Sequence, residues 1–302
     1  MTPKRDGSVP VADPAPDPAP KAAPAAATEP FGARLRRAMD ARGPLCVGID
    51  PHPELLADWG LGDDVAGLER FCGTVVGALA DQVAVLKPQS AFFERFGWRG
   101  VAVLERTVAE ARGAGALVLL DVKRGDIGST MAAYAGAYLD PAAPLFADAV
   151  TLSPYLGVGS LAPALDAARA AGAGVFVLAL TSNPEGAAVQ RAQTADGRTV
   201  AGAVLDELSR RNAEAAPLGS FGAVVGATVD DPVDSLAING PLLAPGLGAQ
   251  GATPADLVRV FGGVVGNVLP SVSRDVLRAG PSPEGLRAAV RDRTTALRKA
   301  LG

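Results

Sequence analysis

Apolar residues in this chain come in short, nearly continuous runs, and several runs end in a charged or hydroxyl side chain. Eight can be traced: 45–50, 83–87, 116–122, 148–152, 175–180, 223–227, 241–245 and a weaker one at 267–271. Runs of this length without alternation predict strands buried on both faces, as in a parallel sheet. Between them lie stretches with helical spacing of apolar positions, at 31–41, 65–79, 100–112, 129–138, 160–171, 200–215 and 284–301. Strand and helix thus alternate in units of roughly 30 to 40 residues, the rhythm of βα repeats.

Eight such units predict an α/β chain closed into a (β/α)8 TIM barrel, with an open doubly wound sheet as the competitor. The polar residues favour closure. Asp50, Lys87, Asp121, Lys123, Ser182, Gln250 and Arg274 all fall at or just beyond the carboxyl ends of predicted strands. A barrel brings those ends to one face, whereas an open sheet would string them along a line. Residues 1–29 are rich in Pro and Ala and have little to bury, so they predict a disordered tail before a single catalytic domain at 30–302.

Composition narrows the functional classes. The net charge is -4 and no Lys/Arg-rich block occurs, which argues against nucleic acid as a partner. His52 is the one histidine, lying between Pro51 and Pro53 where a turn residue is expected; multi-His metal sites are excluded. Cys46 and Cys72 sit in apolar surroundings and read as core residues of a reducing compartment. No apolar run reaches membrane-spanning length and no secretory signal opens the chain, so a cytoplasmic protein is expected.

Lysine usage is the sharpest clue. There are five lysines against 23 arginines, and only Lys87 and Lys123 lie away from the chain ends. Both close apolar runs. Lysine can exchange a proton where arginine cannot, so two retained strand-end lysines suggest chemistry. Lys123 belongs to Asp121-x-Lys123-x-x-Asp126. Side chains alternate along a strand, so Asp121 and Lys123 should share a face, with Asp126 in the Gly-flanked loop beyond. Buried charges need partners, and a Lys-Asp-Lys-Asp chain would supply them internally. Asp126, pointing away from its own barrel mouth, could complete a neighbour's site in a dimer.

Gly246-Leu247-Gly248-Ala249-Gln250-Gly251 fits G-x-G-x-x-G, yet it follows the seventh strand and lacks the acid expected after the next one. Phosphate binding through backbone N–H groups at Gly248 and Gly251, assisted by Arg274, suits it better. Thr181-Ser182-Asn183-Pro184 offers short polar groups for a flat heterocycle or sugar, and Asp50 could accept hydrogen bonds from ribose hydroxyls.

Taken in order, these residues resemble the orotidine 5'-phosphate decarboxylase family, in its longer bacterial subgroup. The likeness runs along most of residues 31–280 and rests on Leu45–Asp50, Lys87, Asp121-x-Lys123-x-x-Asp126, Thr181–Pro184, Pro245–Gly251 and Arg274, with Leu86–Glu94 and Ser153–Gly157 pointing to the subgroup. The resemblance implies conversion of orotidine 5'-phosphate to UMP without metal or organic cofactor, in a homodimer with shared sites. It makes Lys123 the group that stabilises and protonates C6, with Asp121, Lys87 and the neighbour's Asp126 beside it. Asp50, Thr130, Ser182, Gln250, Gly248, Gly251 and Arg274 become substrate contacts. The alternatives are a Mg-dependent sugar-phosphate decarboxylase or synthase on the same barrel, a Schiff-base aldolase, and a catalytically silent nucleotide-binding barrel. Residues 190–199, added after the fifth strand, sit where a lid could form.

Overall fold

In the computed structural model, residues 29–229, 234–248 and 251–301 are described. Almost all of the predicted tail, and Gln250, lie outside them.

Eight parallel strands close on themselves: β1 (Cys46–Ile49), β2 (Val85–Pro88), β3 (Leu117–Arg124), β4 (Ala149–Leu152), β5 (Gly174–Leu180), β6 (Phe221–Val225), β7 (Leu242–Pro245) and β8 (Val268–Val272). Each pairs in parallel with its successor, and β8 returns to β1 through Cys46 opposite Ser271. All eight expected runs form strands, and closure rather than an open sheet is the outcome. The main helices cover Phe31–Arg42, Val65–Leu79, Gly97–Gly113, Gly128–Leu139, Ala162–Ala171, Val200–Asn212 and Pro283–Leu301. The helix from Val200 stops at Asn212, short of the expected 215. There the buried Asn212 side chain donates to the carbonyls of Phe221 and Ile238. The short helix Pro254–Phe261 was not anticipated, although its start carries a capping box between Thr253 and Asp256 with Pro254 in the first turn.

Strand alternation sorts the apolar residues into two layers. Val47, Leu86, Val118, Leu120, Val150, Val175, Val177 and Leu242 face the helices. Cys46, Val85, Leu119, Ala149, Phe176, Val224, Leu243 and Leu269 fill the barrel interior, together with Phe31, Leu35 and Met39 of the first helix. That helix closes the amino end of the barrel, its Phe31 ring edge-on to Phe176 at 6.1 Å. Moving two residues up each strand keeps the inward direction. Val85 is followed by Lys87, Leu119 by Asp121, Ala149 by Thr151 and Leu269 by Ser271. The apolar inner layer therefore gives way to a polar one at the carboxyl ends, which is where barrels of this type carry their chemistry.

Candidate active site

A cavity of about 400 Å³ opens at that end. It is lined by Asp50, Lys87, Asp121, Lys123, Thr181, Ser182, Gly246, Leu247 and Arg274 from the motifs singled out in sequence, and by His52, Gln89, Phe92, Thr151, Ser271 and Ser273 among residues given no site role there. The size suits a mononucleotide-scale ligand.

Asp121 is the hub. Its Oδ2 accepts from Lys87 Nζ at 3.3 Å, and its Oδ1 accepts from Lys123 Nζ at 2.6 Å and from the Thr151 hydroxyl at 2.7 Å. Burial opposes its ionisation. The two ammonium groups and the hydrogen bonds from Lys123 and Thr151 outweigh that and bring the carboxyl down to about 2. Burial likewise disfavours a charged Lys87, but the carboxylates of Asp50 and Asp121 raise it above the ordinary lysine range. A carboxylate therefore lies on each side of Lys87 in the charge sequence Asp50, Lys87, Asp121, Lys123. The lysines differ in access: the Lys87 side chain is 7% exposed and that of Lys123 is 45%. Lys87 is locked among acids, while Lys123 is the ammonium that a bound molecule can meet.

Local backbone explains how Asp121 and Lys123 come together. Regular alternation was the expected cause. Instead, the β3–β4 register slips between Leu120 and Arg124, and Lys123 adopts φ +45°. For a non-glycine residue that region costs about 1–2 kcal/mol.

Asp50 Oδ2 accepts from the Ser273 hydroxyl at 2.5 Å, whereas its buried Oδ1 has no partner. An unmatched buried acceptor suits a ligand hydroxyl. Gly48 allows this approach, since a Cβ there would lie 2.0 Å from Ser273 Oγ. On the β7 side, Gly246, Gly248 and Gly251 take φ of +108°, +73° and +94°. Gly246 and Leu247 reach the cavity wall, but Gly248 and Gly251 do not line it, and their N–H groups, expected to be free for a phosphate, already donate to the carbonyls of Ala252 and Gly248 at 2.8 and 2.7 Å; Gln250 is not among the described residues. Arg274 lies on the cavity wall at the start of the short helix Arg274–Leu277.

The β5 loop is held by the added segment. Thr181 N–H donates to Gln190 Oε1 at 2.9 Å, and Gln190 Nε2 donates to Thr181 Oγ1 at 2.7 Å. The segment then folds back, pairing Gln193 with Thr199, which caps the helix from Val200 through Gly202 N–H. Asp126 and Thr130 do not line the cavity. Asp126 accepts from the backbone N–H of Ile127 at 2.8 Å, and Thr130 is exposed on the helix that follows.

His52 differs from its expected place as a plain turn residue. It precedes the helix Pro53–Asp58 and faces the Phe92 ring at 4.3 Å on the cavity wall. Thr151 could have been noticed as the one polar residue inside the Ala149–Leu152 run. Ser273 had no comparable signal. Both cysteines are core residues, their thiols pushed by burial up to about 12.

A closed parallel barrel with a charged cavity at the carboxyl ends of its strands defines a (β/α)8-barrel enzyme. Residues 43–289 match the orotidine 5'-phosphate decarboxylase / HUMPS family, and the chain belongs to it. It is 71% identical over 262 residues to an orotidine 5'-phosphate decarboxylase of Streptomyces coelicolor, covering 86% of this chain and 94% of that protein. Among solved structures, one attributed to an orotidine 5'-phosphate decarboxylase of Streptomyces avermitilis superposes with a TM-score of 0.90 at 68% identity, covering 91% of this chain and 97% of the other. The OMP decarboxylase of Leishmania donovani gives 0.70 at 30% identity, covering 90% and 99%.

Proposed function

We propose that this chain decarboxylates orotidine 5'-phosphate to UMP and CO2, the last step of de novo pyrimidine synthesis, with residues 30–302 acting as one catalytic domain. The family membership and the relatives' described activity support the reaction. The observation that carries the mechanism is the alternating charge set around Asp121, with Lys123 Nζ 2.6 Å from its carboxylate at the cavity mouth.

In this reading the C6–carboxylate bond breaks and its electron pair stays on C6 while CO2 departs. The ring offers no sink for that pair, so a fixed positive charge must stabilise it. Lys123 supplies the charge, then transfers a proton from Nζ to C6 to give UMP, and recovers a proton from solvent. Asp121 lies beside the substrate carboxylate and holds Lys123 in place. Lys87 keeps Asp121 ionised and is itself kept charged by Asp50. The free Oδ1 of Asp50 takes a ribose hydroxyl. Ser182 and the β5 loop face the pyrimidine, and the β7 turn that reaches the cavity wall at Gly246 and Leu247, with Gln250 and together with Arg274, binds the phosphate. Remote phosphate binding then supplies energy for ordering and desolvating the reacting end.

Asp126 and Thr130 serve the site of a second copy in a homodimer. Exposed Trp98, Ile127, Tyr155 and Leu156, on the segments that follow β2, β3 and β4, supply apolar surface for that contact. Among the described residues no helix is long and apolar enough to cross a membrane, and the reading places the enzyme in the cytoplasm.

The rival chemistries fit the charge pattern less well. A Mg-dependent synthase would want its acids free for the cation, but Lys87 already lies in the field of Asp50 and Asp121. A Schiff-base lysine must lose its proton, and Lys87 is held protonated by the same acids. The test is loss of orotidylate absorbance with stoichiometric UMP. Turnover unchanged by EDTA supports the reading; no turnover, or turnover abolished by EDTA, defeats it.

A further inference from the structure

We propose that Thr151 is the positioning residue for the Lys123 ammonium: its hydroxyl holds the strained backbone of β3 that aims Lys123, and the carboxylate to which Lys123 is paired. This rests on the decarboxylase reading for its kinetic consequence, though not for its geometry.

The β3–β4 ladder matches Leu120 with Val150 and Arg124 with Leu152. Three residues of β3, Asp121 to Lys123, therefore face one residue of β4, which is Thr151. A bulge of this kind leaves N–H groups without ladder partners. The Thr151 hydroxyl accepts from both: Val122 N–H at 3.0 Å and Lys123 N–H at 2.9 Å. With both lone pairs used, its single proton has one direction left, and it donates to Asp121 Oδ1 at 2.7 Å. Thr151 is 1% exposed, so bulk solvent does not compete for these bonds.

One oxygen thus joins the two things Lys123 needs. It stabilises the left-handed turn at φ +45° that carries the side chain, and it fixes the carboxylate oxygen that Lys123 Nζ contacts. On the far side, Ser90 N–H donates to the Asp121 carbonyl at 3.1 Å, so the bulge is held at its base by the segment just past β2 and at its crest by Thr151. Valine has threonine's shape and lacks the oxygen. It would leave two buried N–H groups unmatched and remove a donor from Asp121, with the cavity volume unchanged.

The experiment compares wild type, Thr151→Val and Thr151→Ser. UMP binding by calorimetry gives the fraction of competent sites, and kcat is expressed per competent site. Thr151→Val should lower kcat on the order of 100-fold, as expected for a misplaced catalytic group, with UMP affinity within a few-fold of wild type. Thr151→Ser, which keeps the oxygen, should recover most of the loss. Wild-type kcat per site in Thr151→Val, or no recovery in a folded Thr151→Ser, overturns the proposal. If Thr151→Val does not fold, Thr151→Cys, which replaces the strong acceptor with a weak one, must show the loss instead. A crystal structure of the folded non-hydroxyl variant gives a readout independent of turnover. Lys123 φ should leave the left-handed region and its Nζ should separate from Asp121; retention of both contradicts the proposal even if orotidylate proves not to be the substrate.

Discussion

Asp121 carries more of the site than any other side chain, since it accepts from Lys87, Lys123 and Thr151 at once. Its carboxyl is depressed to about 2 against about 3.9 in an unfolded chain. A depressed carboxyl contributes stability that is complete above the unfolded value and is lost as the pH falls through the folded one. The contribution is of order 2 kcal/mol above pH ~4, disappearing toward pH ~2. Between those limits wild type should lose roughly that much more stability than Asp121→Asn, measured by urea denaturation. Parallel loss in both proteins would contradict the assigned charge state. Residues like Asp121 and Lys87 were legible because a charge at the end of an apolar run is conspicuous and a rare lysine more so. Ser273 was not, and Thr151 gave only the faint signal of one polar residue inside an apolar run. A hydroxyl near a strand end is ordinary in sequence, and its value here comes from partners on other strands: β3 for Thr151, and Asp50 beyond β1 for Ser273.

All eight strands were legible as apolar runs. Their local distortions were not, because the β3 bulge is a relation between two strands and period-two alternation on one strand predicts the same meeting of Asp121 and Lys123. The first helix was also foreseen as amphipathic, but not as the plug of the barrel's amino end. What fixes it there is Asp148, just ahead of β4, which accepts from Arg34 Nη1 at 2.5 Å, Arg112 Nε at 3.3 Å and Val118 N–H at 2.9 Å. Asp148 is almost completely buried, so its removal leaves two arginines and a backbone donor without their acceptor. Asp148→Ala should cost about 3–5 kcal/mol in denaturant unfolding, with kcat per folded molecule unchanged because the change lies at the opposite end from the cavity. Loss of kcat without loss of stability would show that the two ends are coupled.

Barrel closure is a property of the whole molecule, and the sequence held it only indirectly, in the count of eight units and in polar ends that make sense when they converge. The same convergence separates Asp50, Lys87, Asp121 and Lys123, which line one cavity, from Asp126 and Thr130, which do not. In the dimer reading, two inactive variants can repair each other. Mixing Asp126→Ala with Lys123→Ala subunits should form heterodimers with one intact site and restore up to about a quarter of wild-type activity for random pairing. Mixtures that stay inactive after proven subunit exchange would remove the shared site. The central claim is that Lys123 provides the charge and the proton at C6 while the rest of the cavity binds the nucleotide. It is tested most directly by measuring turnover of orotidine 5'-phosphate and affinity for UMP on Lys123→Ala in parallel. The account predicts turnover reduced to background with UMP affinity within a few-fold of wild type; near-normal turnover by that variant would contradict it.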